Sequence, residues 1–271
     1  MKLAERTAAD LRFARAGAHT VLTRRRHRWP FVIGRVFADP QDPGLGTLTL
    51  QNAAGTVIPG DVIRQRIEVV DGGRAAVNGQ GATLISGVPG GDASAEDTEL
   101  YVDARSWLWF DPAPRILTAH ARHRQRTEVC VAPGGCAVVV DTVVLHPDLD
   151  AATFGSVEST VTVRAPGGAL LAMDAQVLDA PPVTDRFTAF GTVYFIGAGF
   201  VGGDQEGPTD PPGVYTAVTE LPNGAGCAVR IAAADGGALR TYLRLLPGET
   251  AFRQASTRTF PDGMPFRRSQ V

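Results

Sequence analysis

Between Val62 and Val70 the chain alternates with a period of two. Ile63, Gln65, Ile67 and Val69 fall on one face, and Arg64, Arg66 and Glu68 on the other, as a half-buried strand requires. Short runs of the same kind recur along the sequence. Leu11 to Thr23 reads as one or two strands around Gly17, and Phe31 to Ala38 and Leu45 to Gln51 flank an Asp-Pro-rich turn. Thr98 to Asp103, Trp107 to Phe110, Arg122 to Val131, Cys136 to Leu145, Val157 to Val163, Ala169 to Leu178 and Thr192 to Val201 continue the series. Asp71-Gly72-Gly73 and Pro133-Gly134-Gly135 predict two hairpins. Helical period is confined to Leu239, Tyr242, Leu243 and Leu246, with Asp235 as cap and Pro247-Gly248 as stop. A weaker helix over Glu249 to Ser256 would extend the helical part to about 236–256. Gly202 to Gly213, dense in Gly, Pro and Asp, predicts a flexible loop.

These elements describe one mainly β domain over residues 1–271, with many short strands, a small helical C-terminal part and no repeat of fixed spacing. The 31 glycines and 19 prolines fit that picture as turn punctuation between strands. A net charge of −2 gives no electrostatic case for nucleic acid. No apolar run approaches the ~18 residues of a membrane helix, and Met1 to Phe13 carries no apolar core of signal-peptide length. Three cysteines, Cys130, Cys136 and Cys227, suit a reducing compartment better than a disulfide framework, so a cytoplasmic location is expected.

Candidate chemistry is sparse. His120 and His123, three apart on a strand, would face opposite ways and both meet solvent. Cys130 and Cys136 would lie across a hairpin as small hydrophobes. Asp148 and Asp150 read as an exposed turn, whereas Asp141 follows an apolar strand and needs a partner if buried. The run Arg24 to Arg28 reads as a positively charged sheet edge. Arg122, Arg124 and Arg126 place three guanidinium groups on one strand face, a candidate protein interface. Walker, nucleophile-elbow and His-Glu-x-x-His patterns are absent. Gly197 to Gly202 spells Gly-x-Gly-x-x-Gly, but without a helical pattern after it.

Taken in order, Gly60-Asp61, Gln80-Gly81-Ala82-Thr83, Trp107 to Asp111-Pro112, Gln125 and Asp141 resemble the UreD (UreH) family of urease accessory proteins. Gln80 and Ala82 match the family's Thr-Thr-Gln-x-Ala-x-Lys segment, whereas its threonines and lysine are not matched. The family's Gly-Arg and Gly-Glu pairs fall on His146-Pro147 and Ala151-Ala152 and are missing. The resemblance implies a β-helix-like stack of strands with no catalytic residues. It implies a scaffold needed for nickel insertion, working with UreF and UreG on the urease apoprotein, with no stably bound cofactor and nickel only in transit. It makes Asp61, Gln80, Thr83 and Asp141 candidates to line a nickel route, and leaves Arg122, Arg124 and Arg126 as partner-binding candidates. Two other readings follow from the residues alone: a hydrolase pairing Asp141 with Asp148 or Asp150, or a β module that binds carbohydrate or protein.

Overall fold

The computed structural model describes residues 7–40, 42–182, 186–197, 205–209 and 212–246. In chain order its strands are β1 (Ala9–Ala16), β2 (His19–His27), β3 (Phe31–Ile33), β4 (Phe37–Ala38), β5 (Leu45–Asn52), β6 (Thr56–Val57) and β7 (Val62–Val70). There follow β8 (Arg74–Gly79), β9 (Thr83–Ile85), β10 (Ser94–Val102), β11 (Trp107–Asp111), β12 (Arg115–Leu117), β13 (Arg122–Val131) and β14 (Cys136–Leu145). The last are β15 (Ser156–Arg164), β16 (Leu170–Leu178), β17 (Ala189–Gly197), β18 (Gln205–Thr209), β19 (Val214–Leu221) and β20 (Gly226–Ala233), before the helix α1 (Gly236–Leu245).

The strands form two facing sheets. One has seven strands in the order β16-β15-β13-β10-β7-β1-β2. The other has thirteen, and its main path runs β18-β19-β20-β17-β14-β11-β8-β5-β3. From β7 onward the chain passes from one sheet to the other and back, so β7, β10, β13 and β15 lie parallel in the first, and β5, β8, β11 and β14 in the second. The short strands β6, β9 and β12 pair with one another along one side of this winding. The result is a solenoid-like stack of about four turns, as the fold reading expected. Successive coils enter the first sheet at residues 62, 94, 122 and 156, and these unequal lengths are why no fixed repeat is visible in the sequence.

Both predicted hairpins are corners of this stack instead. At the first, Asp71 and Gly72 have φ of 55° and 69°, and Gly73 N–H donates to the Val70 carbonyl at 2.8 Å. That is hairpin-turn backbone, yet β7 and β8 leave it into different sheets. The corners stack on one another: Trp107 N–H donates to the Gly73 carbonyl (2.9 Å), and Cys136 N–H to that of Ser106 (3.1 Å). A strand such as β14, apolar on both faces (Cys136 to Val140), asks for cover on both sides. It finds one in the interior, where Ala137 and Val139 pack, and another in a second apolar layer that joins Val138 and Val140 to Leu239 of α1.

Two other expectations change. Gln205–Thr209, inside the predicted loop 202–213, forms β18 and pairs with β19; positions 202–204 and 210–211 lie outside the described residues. The helical part appears as α1, capped by the Asp235 carboxylate accepting from Ala238 N–H at 2.8 Å, and the weaker helix at 249–256 lies outside the described residues. The basic run Arg24 to Arg28 begins on the edge strand β2, as expected. The opposite edge, β16, carries exposed Leu170, Met173 and Val177.

The close stacking makes a sharp test possible. A Cβ at Gly155, just before β15, would lie 1.7 Å from the Ala121 carbonyl oxygen, whereas one at Gly167 meets nothing within 4 Å. Gly155→Ala is expected to cost roughly 2–3 kcal/mol, and Gly167→Ala no more than about 0.5 kcal/mol. Equilibrium urea denaturation of both variants checks this.

Candidate functional site

In-register parallel strands bring residues of equal height side by side. On the inner face of the seven-stranded sheet, one such row runs Ile63, Glu96, Gln125, Ser159, Gln176. The row beside it holds Gln65, Thr98 and Thr127, with Gln65 Nε2 donating to Thr98 Oγ1 at 2.9 Å. Glu96, Gln125 and Ser159 are all buried. A polar column therefore runs along the axis of an otherwise apolar stack.

Buried polar groups require partners, and here they form two nodes. At the first, Arg115 from β12 donates to Glu96 Oε2 through Nε (2.6 Å), and Nη2 stands 2.5 Å from the same oxygen. His123 is fully buried, with Nε2 3.6 Å from that oxygen and Nδ1 2.9 Å from Ser94 Oγ. Burial alone would raise the Glu96 carboxyl, but the Arg115 charge, helped by His123, holds it down at about 2. Across the interior, Asp141 of β14 accepts from Gln125 Nε2 at 3.0 Å and from Ser159 Oγ, and lies 3.8 Å from Arg115 Nη1.

The second node centres on Asp174 of β16. It accepts from Tyr194 Oη (2.7 Å), Arg230 Nη2 (2.8 Å) and Gln176 Nε2 (3.1 Å). Burial works against the charged form, and the hydrogen bonds from Arg230 and Tyr194 overcome it, so the carboxyl sits below its ordinary range. Tyr194 is pushed well above the usual phenol range by burial and by the charges of Asp141 and Asp174. Between the nodes lies a cavity of 230 Å³ with Arg115, Asp141, Ser159, Gln176 and Thr192 in its wall.

The four route candidates separate. Asp141 lines the large cavity, and Thr83 is buried in the wall of a smaller one on the far side of Arg115. Asp61 caps a surface turn by accepting from Ile58 N–H at 3.1 Å, and Gln80 is exposed; the structure does not bring these two to the column. Arg122, Arg124 and Arg126 are exposed on the outer face of the seven-stranded sheet, and none has an ion pair among the described residues.

His123 corrects the expectation of two solvent-facing histidines, because β13 turns it inward with Gln125 and Thr127. His120 sits at the preceding corner with φ of 58°. Cys130 and Cys136 lie in different sheets rather than across a hairpin, and burial pushes the Cys136 thiol up to about 11. Asp148 and Asp150 occupy the exposed turn, where Asp150 accepts from Ala152 and Thr153 N–H at 2.9 and 2.8 Å. Neither lines the cavity beside Asp141, so the paired-carboxylate hydrolase has no shared cleft there. Of the Gly-x-Gly-x-x-Gly run, Gly197 ends β17 and the remainder lies outside the described residues. Among the described residues no helix is long and apolar enough to cross a membrane, and no three His, Cys, Asp or Glu side chains are grouped to hold a metal ion.

Glu96, Arg115, Ser159, Gln176 and Asp174 carry the site without having been singled out in the sequence, and His123 was singled out only as a solvent-facing residue. Ser159 had the clearest signal, a polar residue in the inward phase of an apolar alternation between Val157 and Val161.

The sequence matches the UreD urease accessory protein family over residues 5–259. The chain belongs to the UreD family. It is 93% identical to the urease accessory protein UreD of Mycolicibacterium smegmatis over 271 residues, the full length of both chains. It is 34% identical over 246 residues to UreD 1 of Methylorubrum extorquens, covering 86% of this chain and 83% of that one. It is 32% identical over 238 residues to UreD of Haloarcula marismortui, covering 82% and 78%. Membership places the chain among urease accessory proteins, which points to a supporting rather than a catalytic role.

Glu96 should be visible in the pH dependence of stability. The unfolded chain takes up this proton near pH 4.5, whereas the folded one resists it down to about 2. The contribution is therefore complete above pH 4.5 and lost as pH falls toward 2, on the order of 3 kcal/mol in all. Urea titrations from pH 6 downward should show a shallower acid decline for Glu96→Gln than for the wild type.

Proposed function

We propose that this chain serves urease maturation in the cytoplasm as a non-catalytic scaffold, with UreF and, through it, UreG assembled on apo-urease. In this reading nickel, as cargo, moves along the polar column toward the urease site. The observation that carries the reading is the row Glu96, Gln125, Ser159, Gln176 facing Asp141 inside an apolar stack. Oxygen ligands spaced along a path hold a cation more weakly than a closed cage and so can release it.

The partner surface is assigned to the outer face of the seven-stranded sheet. Arginine suits protein interfaces because its planar fork is pre-organised for carboxylates. Arg122, Arg124 and Arg126 stand there exposed, one strand from Glu158 and Thr160 of β15. Glu128 shares their face, so the surface is mixed rather than uniformly basic and favours an oriented partner.

Capture of UreF, UreG and apo-urease by the tagged chain is the direct test, and failure to capture any of them would overturn the assignment. Asp141→Ala is expected to leave that complex assembled while nickel in the matured urease falls by about tenfold, the scale of losing a supporting metal-path ligand. Arg122→Glu with Arg126→Glu should do the reverse, weakening capture by about tenfold or more. Atomic absorption on purified urease and quantitative pull-down separate the two effects.

A further inference from the structure

Two cavities meet at Arg115. The smaller, 30 Å³, is lined by Gln65, Thr83 and Glu96 as well as Arg115, and has room for a water molecule or two. The larger, 230 Å³, is lined by Asp141, Gln125 and Ser159 on the other side of the same guanidinium. The Arg115 side chain is 5% exposed and thus forms a partition in the column.

Its bonding is lopsided for a purely structural ion pair. Nε and Nη2 both serve the single oxygen Glu96 Oε2, whereas a forked pair would use both carboxylate oxygens. Nη1 is buried with no hydrogen-bond partner, 3.8 Å from Asp141 Oδ1. His123 Nε2 is likewise without a hydrogen-bond partner, 3.6 Å from the oxygen that Arg115 holds. One monovalent cation is thus shared between two carboxylates from opposite walls, with a nitrogen lacking a hydrogen-bond partner near each. Glu96, Asp141 and Arg115 sum to one net negative charge, so removing the arginine would leave two carboxylates across one gap.

Resting on the reading of the interior as a cargo path, we propose that Arg115 is an internal counter-cation that gates the column. It stands where a divalent cation would bridge Glu96 and Asp141, and passage requires it to swing off one of them. His123 and Ser94 remain beside Glu96 while it does so, and Gln125 and Ser159 remain on Asp141. Arg115 is in this sense a specificity-determining residue: a monovalent cation gains too little from the two carboxylates to displace it, and a divalent one gains twice as much from each.

The test is equilibrium dialysis of NiCl2 against the full chain, with thermal melting to confirm folding. Arg115→Gln should bind Ni2+ at least about tenfold more tightly than the wild type, Arg115→Lys should stay near the wild type, and adding Asp141→Asn to Arg115→Gln should abolish the gain. A structural pair alone would not produce a gain that depends on Asp141. If Arg115→Gln does not fold, Glu96→Gln with Arg115→Met carries the test: freed of the facing cation, Asp141 should give at least about threefold tighter binding, again lost with Asp141→Asn. Unchanged Ni2+ affinity in the folded variant overturns the gate. Urease maturation by the wild-type chain is measured in parallel, so that a chain active in maturation with unchanged Arg115 variants sinks the gate alone. A chain inactive in maturation sinks the cargo path and the gate with it.

Discussion

In-register parallel pairing governs what this interior can contain. Once β7, β10, β13 and β15 lie side by side, each inward residue stands beside its counterparts on neighbouring strands. A single polar residue would be an isolated cost; aligned ones solvate one another. The buried Glu96 carboxylate is tolerable only because Arg115 reaches it from the short third side of the winding and His123 flanks it from the next strand. Asp141 is tolerable because Gln125 and Ser159 approach it from the sheet opposite. Removing one member of such a set strands the others, which ties the integrity of the stack to the chemistry of its axis.

The same geometry divides labour between the surfaces. The outer face of the thirteen-stranded sheet is apolar and is closed in part by α1, through Leu239. The outer face of the seven-stranded sheet is charged and open, and presents Arg122, Arg124 and Arg126. One sheet thus finishes the fold while the other remains available for contact, and the polar column runs between them.

Much of this was legible in the sequence. The alternation at Ile63, Gln65, Ile67 and Val69 placed the inner face of β7 correctly, and Asp235 with Leu239 located the helix. Asp141 stood out as a carboxylate on an apolar strand. What was not legible depended on which strands become neighbours. Asp71-Gly72 specifies a tight turn equally well for a hairpin and for a corner of a stack, and local chemistry does not distinguish them. Read as a hairpin, the Pro133-Gly134-Gly135 corner makes β13 and β14 partners, which they are not, and the spacing of His120 and His123 alone does not show that β13 turns His123 into a buried row. Glu96 and Arg115 lie 19 residues apart in the chain on strands of different sheets, and nothing local announces their pairing.

The edge strand β16 has one further implication. Its outward residues Met173, Ala175 and Val177 are uncharged and exposed, and a long apolar edge without lysine or proline is a template for further strand addition. Its side chains Asp174 and Gln176 are meanwhile tied to the buried Tyr194 and the half-exposed Arg230, so the strand cannot peel away to hide that edge without dismantling the second polar node. The open edge of the sheet and the integrity of the axis therefore meet in one strand, so whatever alters the rim at β16 is felt at the second node.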